Sequence, residues 1–151
     1  EVIEKSVQLV QHKISLYEIN LEVHLPPESV LVTCDQNQMQ QAVLAIIINA
    51  IEAMPEGGRL GISLNRENSH VSIRISDTGV GISPKDQQRI FEPFFTTKEE
   101  GHGTGLGLSI AYGIVQSHSG TITVESTTGK GATFIITIPV AGPQPDEKEN
   151  A

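Results

Sequence analysis

Apolar residues recur along this chain at helical and at alternating spacings, and the two patterns divide it into elements. Val2, Ile3, Val7, Leu9 and Val10, with Ile14 beyond, predict a first helix over about Glu1 to Lys13. From Tyr17 to Leu25 the pattern changes to alternation. Ile19, Leu21, Val23 and Leu25 stand against Glu18, Asn20, Glu22 and His24, which predicts a half-buried strand closed by Pro26-Pro27. Val30 to Cys34 predicts a short second strand. Asp35 has the chemistry of an N-cap, and no Gly or Pro follows before Met54. Met39, Val43, Ile46, Ile47, Ala50 and Met54 form one apolar stripe of a long helix.

Pro55-Glu56-Gly57-Gly58 marks a turn, and two strands follow. Leu60, Ile62 and Leu64 share a face of the first; Val71, Ile73 and Ile75 share a face of the second. Asn68-Ser69 between them predicts a hairpin. Ser83-Pro84 opens a short helix, with a capping hydroxyl and Pro at the first position. Phe91 to His102 has no period and is expected to be a mobile loop. A helix is expected from about Gly105 to His118, closed by Gly120. Thr121 to Ser126 and Ala132 to Pro139 predict two last strands around a turn at Thr128 to Gly131. Residues 1–140 are expected to form one domain and 141–151, Pro-rich and acidic, a disordered tail. The order predicts an α+β fold: a mixed, mostly antiparallel sheet with helices on one face.

Composition narrows the partners. The 151 residues carry 10 Lys and Arg against 18 Asp and Glu, a formal charge of −8. That balance argues against a nucleic-acid or anionic-membrane surface, so a polyanion site must be built locally from a few cations and N–H groups. Cys34 has no internal partner for a disulfide, which fits a reducing, cytoplasmic compartment. The longest apolar run, Ala42 to Ile48, is too short to span a bilayer, and no basic-then-apolar leader opens the chain. A longer parent could still be membrane-anchored.

Four constellations carry candidate chemistry. In Asp77-Thr78-Gly79-Val80-Gly81, strand alternation puts Asp77 on the face of Val71, Ile73 and Ile75. A carboxylate on an apolar face needs a donor, since an unpaired buried charge costs several kcal/mol. A ligand amino group such as that of adenine would serve, and Gly79 and Gly81 would let backbone pass close to a flat ligand. An ordinary turn has the same composition. Asp-Thr-Gly is also the triplet of aspartic proteases, whose chemistry needs two carboxylates, here available only through a homodimer. Asn49 lies beside the apolar stripe on a face with Ala42, Ala45, Glu52 and Ala53. Small neighbours leave room there, and an amide oxygen suits Mg²⁺; the bland reading is a helix-edge Asn bonded to a loop.

Gly101, Gly103, Gly105 and Gly107 alternate just before a helix. Their N–H groups can form an anion nest reinforced by the helix N-terminus. Neither a dinucleotide fingerprint nor a Walker A loop fits the spacing; a flexible hinge does. Phe91-Glu92-Pro93-Phe94-Phe95 reads as a hydrophobic anchor that delivers Thr96, Thr97 and Lys98 to the glycine stretch.

Together the four stretches resemble the ATP-binding catalytic domain of two-component sensor histidine kinases, in the superfamily of DNA gyrase, Hsp90 and MutL. Ile46 to Ala53 resembles the N box, Asp77 to Ile82 the G1 box, Phe91 to Lys98 the F box in its nitrogen-regulation form, and Gly103 to Leu108 the G2 box. Gly129-Lys130-Gly131-Ala132-Thr133-Phe134 is similar to the closing strand-turn-strand. The resemblance implies an α/β sandwich that uses ATP and Mg²⁺. Asp77 would accept from the adenine amino group, with Thr133 supporting that contact through water. Gly79, Gly81, Ile82 and Leu108 would line the base. Asn49 would hold the metal, with Glu52 beside it in the binding set. Thr96, Thr97, Lys98, Gly103, Thr104, Gly105, Leu106 and Gly107 would surround the phosphates.

The implied activity is transfer of the γ-phosphate to a histidine on a separate dimerisation domain, and through it to a response regulator. A regulatory nucleotide module without phosphotransfer is the alternative. Ala45 stands where the family often has Asn and where ATP-hydrolysing relatives carry Glu, which suits transfer over hydrolysis. None of His12, His24, His70, His102 and His118 has the context of a phosphoacceptor.

Overall fold

The computed structural model describes residues 1–96 and 106–140. Helix α1 (Val2–Leu16) leads into strand β1 (Ile19–His24), followed by α2 (Gln36–Glu52), β2 (Gly58–Arg66) and β3 (His70–Asp77). A single-turn helix α3 (Pro84–Gln87), then α4 (Gly107–Ser117), β4 (Thr121–Ser126) and β5 (Ala132–Pro139) complete the order. The five strands form one sheet in the order β1-β2-β3-β5-β4. β1 and β2 are parallel, as a crossover through α2 requires; the other three pairs are antiparallel. The sheet is mixed and mostly antiparallel, as its residue pattern predicts.

Register carries one apolar face across the sheet. Ile62 pairs with Ile75, Ile75 with Phe134, and Phe134 with Val124. Ile73 pairs with Ile136, and Ile136 with Ile122. These side chains share one core with Met39, Val43, Ile46, Ile47, Ala50 and Ile51 of α2, and with Ala111 and Val115 of α4. The Asp35 carboxylate caps α2 by accepting from the Gln38 N–H at 3.0 Å. Past Ala53 the helix cannot continue, because Pro55 and a left-handed Gly57 (φ +95°) follow. No helix among the described residues is long and apolar enough to cross a membrane.

Two expectations need correction. Val30 to Cys34 forms no strand. Among the described residues the segment makes a single backbone bond, from the Thr33 N–H to Val140 O at 3.3 Å, and β5 is already paired on both edges. Its alternation comes from Val32 and Cys34 packing inward while Leu31 is 78% exposed. Gly120 does not supply the left-handed end of α4. Ser119 does, at φ +60°, and the Gly120 N–H returns to Val115 O. Gly120 is small for another reason: a Cβ there would lie 2.5 Å from Thr137 O. The predicted start of α4 at Gly105 and the tail after 140 lie outside the described residues.

Candidate functional site

β3 ends at Asp77, which pairs with Leu60 of β2. Alternation leaves its side chain on the helix-covered face, and the residue is only 6% exposed. One carboxylate oxygen, Oδ1, accepts from the Gly79 N–H at 2.8 Å. The other, Oδ2, is buried with no hydrogen-bond partner among the described residues. Burial pushes the Asp77 carboxyl above the usual carboxylate range, against the opposing pull of the Gly79 N–H and then of the Ala132 N–H. A buried acceptor in this state fits a ligand that brings an N–H to Oδ2.

The turn after Asp77 is clamped on two sides. The Val80 N–H donates to Ala53 O at the end of α2, 3.1 Å away. Across the turn, the Gly129 N–H donates to Val80 O at 2.7 Å, and the Ile82 N–H to Ser126 Oγ at 2.8 Å. The Gln87 side-chain amide bonds both Ile82 O and Ser126 O. These clamps explain the glycines. A Cβ on Gly79 would stand 2.2 Å from Ala53 O, and one on Gly81, where φ is +74°, 2.3 Å from Thr127 O. The side on which each Cβ would stand is filled by the chain itself, not held open for a flat ligand.

The same clamp brings the end of α2 to Asp77. Asn49 lies one turn before Ala53 and is half-buried; its side chain makes no hydrogen bond among the described residues. Glu52, three residues on, is half-buried on the same side. Helix α4 packs along α2, with the Cβ position of Gly107 3.9 Å from that of Ala45. Leu108 and Ile82 both pack against the core edge. Leu106 takes the N-cap position of α4 without a side-chain cap. The structure therefore sets Gly79 against Ala53 and Gly107 beside Ala45, with Asn49 and Glu52 between those two positions along α2.

Thr133 falls on the other side of the sheet. It pairs with Ser76, and the two hydroxyls meet at 2.9 Å. Neighbouring residues of a strand face opposite ways, so the β5 residue on Asp77's side is Ala132. Thr133 is thereby separated from the carboxylate that it was expected to support.

The aromatic stretch anchors to α4. Phe91 stacks on Tyr112 with ring centroids 5.2 Å apart and meets Phe134 edge-on. Arg89 lies over the Phe95 ring at 4.7 Å and pairs with Glu92. Phe94 is 74% exposed, at φ +66°. Thr96 is exposed; Thr97, Lys98, Gly103, Thr104 and Gly105 lie outside the described residues. His118, Ser126, Gln87 and Ala132 escape a sequence reading, because each acts on a residue far away in the chain.

Among the described residues no group of three or more His, Cys, Asp or Glu could hold a metal ion. Asn49 offers a single neutral oxygen. A divalent cation there would take most of its ligands from water and phosphate, the usual manner of Mg²⁺.

Residues 34–142 match the family described as histidine kinase-, DNA gyrase B- and HSP90-like ATPase. Sporulation kinase E of Bacillus subtilis is 37% identical over 141 residues, covering 93% of this chain and 19% of that protein. Sensor histidine kinase ZraS of Klebsiella oxytoca is 36% identical over 149 residues, covering 98% of this chain and 32% of that protein. This chain thus spans a fifth to a third of the length of these relatives. Among solved structures, the nucleotide-free catalytic domain of histidine kinase ThkA superposes with a TM-score of 0.83 at 33% identity, covering 93% of each chain. The chain belongs to the family of histidine kinase-, DNA gyrase B- and HSP90-like ATPases.

Proposed function

We propose that this chain is the nucleotide-binding core of a cytoplasmic sensor kinase activity, which holds Mg·ATP and presents its γ-phosphate to a histidine on a separate dimerisation domain. The observation that carries this reading is the partnerless Oδ2 of Asp77. It is a buried, ionisable acceptor that no hydrogen bond among the described residues satisfies, and an exocyclic amino group supplies the missing donor. Asn49, on the helix clamped to the same turn, would hold the cation. Thr96 and the α4 N-terminus at Leu106 to Leu108 would serve the phosphates, together with Thr97, Lys98 and Gly103 to Gly105. Ile82 and Leu108 give the base its apolar edges.

The chemistry asked of these residues is positioning and charge neutralisation. Bound Mg²⁺ would neutralise the phosphate oxygens. Ala45 offers no carboxylate to activate water, so transfer to a protein side chain is favoured over hydrolysis. Full-length ShkA, 26% identical with a TM-score of 0.80, has been solved with AMPPNP. ThkA has been solved with the response regulator TrrA, at 30% identity and a TM-score of 0.79. The first supports an ATP-type nucleotide as the ligand, and the second a response regulator as a partner of the longer protein.

Calorimetric titration with a non-hydrolysable ATP analogue and Mg²⁺ tests the binding. Radiolabel transfer from ATP to a supplied dimerisation domain tests the catalysis and separates it from a purely regulatory module. Binding without transfer would leave the regulatory reading; no binding would overturn the site.

A further inference from the structure

Helix α2 opens with Asp35-Gln36-Asn37-Gln38, the spacing of a capping box. In such a box the third residue's side chain turns back to the N–H of the cap. Here only half of the box is local. Asp35 accepts from the Gln38 N–H, but the Asp35 N–H donates to Nε2 of His118, 3.0 Å away and 83 residues further on. His118 is the C-cap of α4. Its own backbone N–H turns to Val115 O, which leaves Ile114 O over. Nδ1 of His118 lies 2.8 Å from that carbonyl, which also accepts from Ser117 Oγ at 2.7 Å. A ring nitrogen that accepts from an N–H carries no proton, and one set against a carbonyl donates. The two contacts together specify the neutral tautomer protonated at Nδ1.

The helices joined in this way are the two that bear the site. Asn49 is on α2. Gly107 and Leu108 are at the far end of α4, where Gly107 rests beside Ala45. A slip of α4 by a single residue would move its N-terminus by about 1.5 Å, and errors of that size are costly where a ligand is held from two sides. We propose that His118 is a positioning residue for the nucleotide site. It completes the α2 cap in place of Gln38 and so fixes where α4 stands along α2, and with it the distance from Gly107 and Leu108 to Asn49. The inference rests on the nucleotide reading above.

The test is titration of wild type, His118→Ala and His118→Gln with the non-hydrolysable analogue and Mg²⁺, well below the melting transition of each. His118→Ala is expected to bind about three- to tenfold more weakly, the loss of one or two net hydrogen bonds. The glutamine variant, whose carbonyl can accept from Asp35 and whose amide can donate to Ile114, recovers most of the affinity. Unchanged affinity in folded His118→Ala overturns the inference alone. A wild-type chain that binds no analogue overturns the nucleotide reading and everything resting on it. If His118→Ala does not fold, the long-range nitrogen–proton NMR spectrum of the wild-type imidazole decides. The Nδ1–H tautomer is expected, and a ring protonated at Nε2 overturns the assignment.

Discussion

The Gly79 N–H satisfies one oxygen of the Asp77 carboxylate at 2.8 Å and leaves the other buried without a partner among the described residues. The pair divides the carboxylate into a structural half and a free half. Asp77→Asn keeps an acceptor for Gly79 and replaces the free oxygen by a donor. Nucleotide binding is expected to be lost while the apo fold persists, with calorimetry as the check.

The same carboxylate sets a pH dependence for the apo protein. Burial raises the folded-state pKa above the unfolded value. The contribution of Asp77 to stability is therefore fully present below the unfolded pKa and is lost as pH rises through the folded one. The melting temperature of Asp77→Asn relative to wild type should rise between acid and neutral pH in the absence of nucleotide. A difference that is flat with pH would contradict this.

Asn49→Ala should weaken analogue binding in the presence of Mg²⁺ and have little effect with the metal chelated. Paired titrations with and without chelator measure the difference. Equal losses in both conditions would remove Asn49 from the metal and make it a packing residue.

Thr133→Val should cost about 0.5–1.5 kcal/mol of stability, the net worth of one hydrogen bond to Ser76, and leave nucleotide affinity within about twofold. Ala132→Leu, on Asp77's side of the sheet, should impair binding. Denaturant titration and calorimetry on both variants check the assignment of faces.

Positions 119 and 120 should respond in opposite directions. Ser119→Gly relieves a left-handed residue and is expected to stabilise by about 0.5–1 kcal/mol. Gly120→Ala forces a Cβ against Thr137 O and should destabilise by about 1–3 kcal/mol. Thermal melts of the two variants decide.

Much of this was legible in the residues. β4 and β5 lie where alternation puts them, and Asp35 caps α2 as its side chain suggests. The burial of Asp77 follows from parity with Ile73 and Ile75. Alternation in β5, with Phe134, Ile136 and Ile138 as the inward set, also carries the outward placement of Thr133. That Val30 to Cys34 forms no strand was not legible, because alternation shows a burial pattern and not whether a neighbouring edge is free. Gly79 and Gly81 declare a need for space, but not that Ala53 O and Thr127 O would fill it. His118 gives no local signal of its bond to Asp35, since that partner opens a different helix.

Phe91 rests on Tyr112, and Leu106 begins the helix that carries Tyr112. The stretch between Phe91 and Leu106 thus departs from and returns to one helix. Insertions and deletions here would leave every strand register untouched. Descendants of one ancestral chain could change this stretch, at a cost to the phosphate site alone, while inheriting the sheet intact.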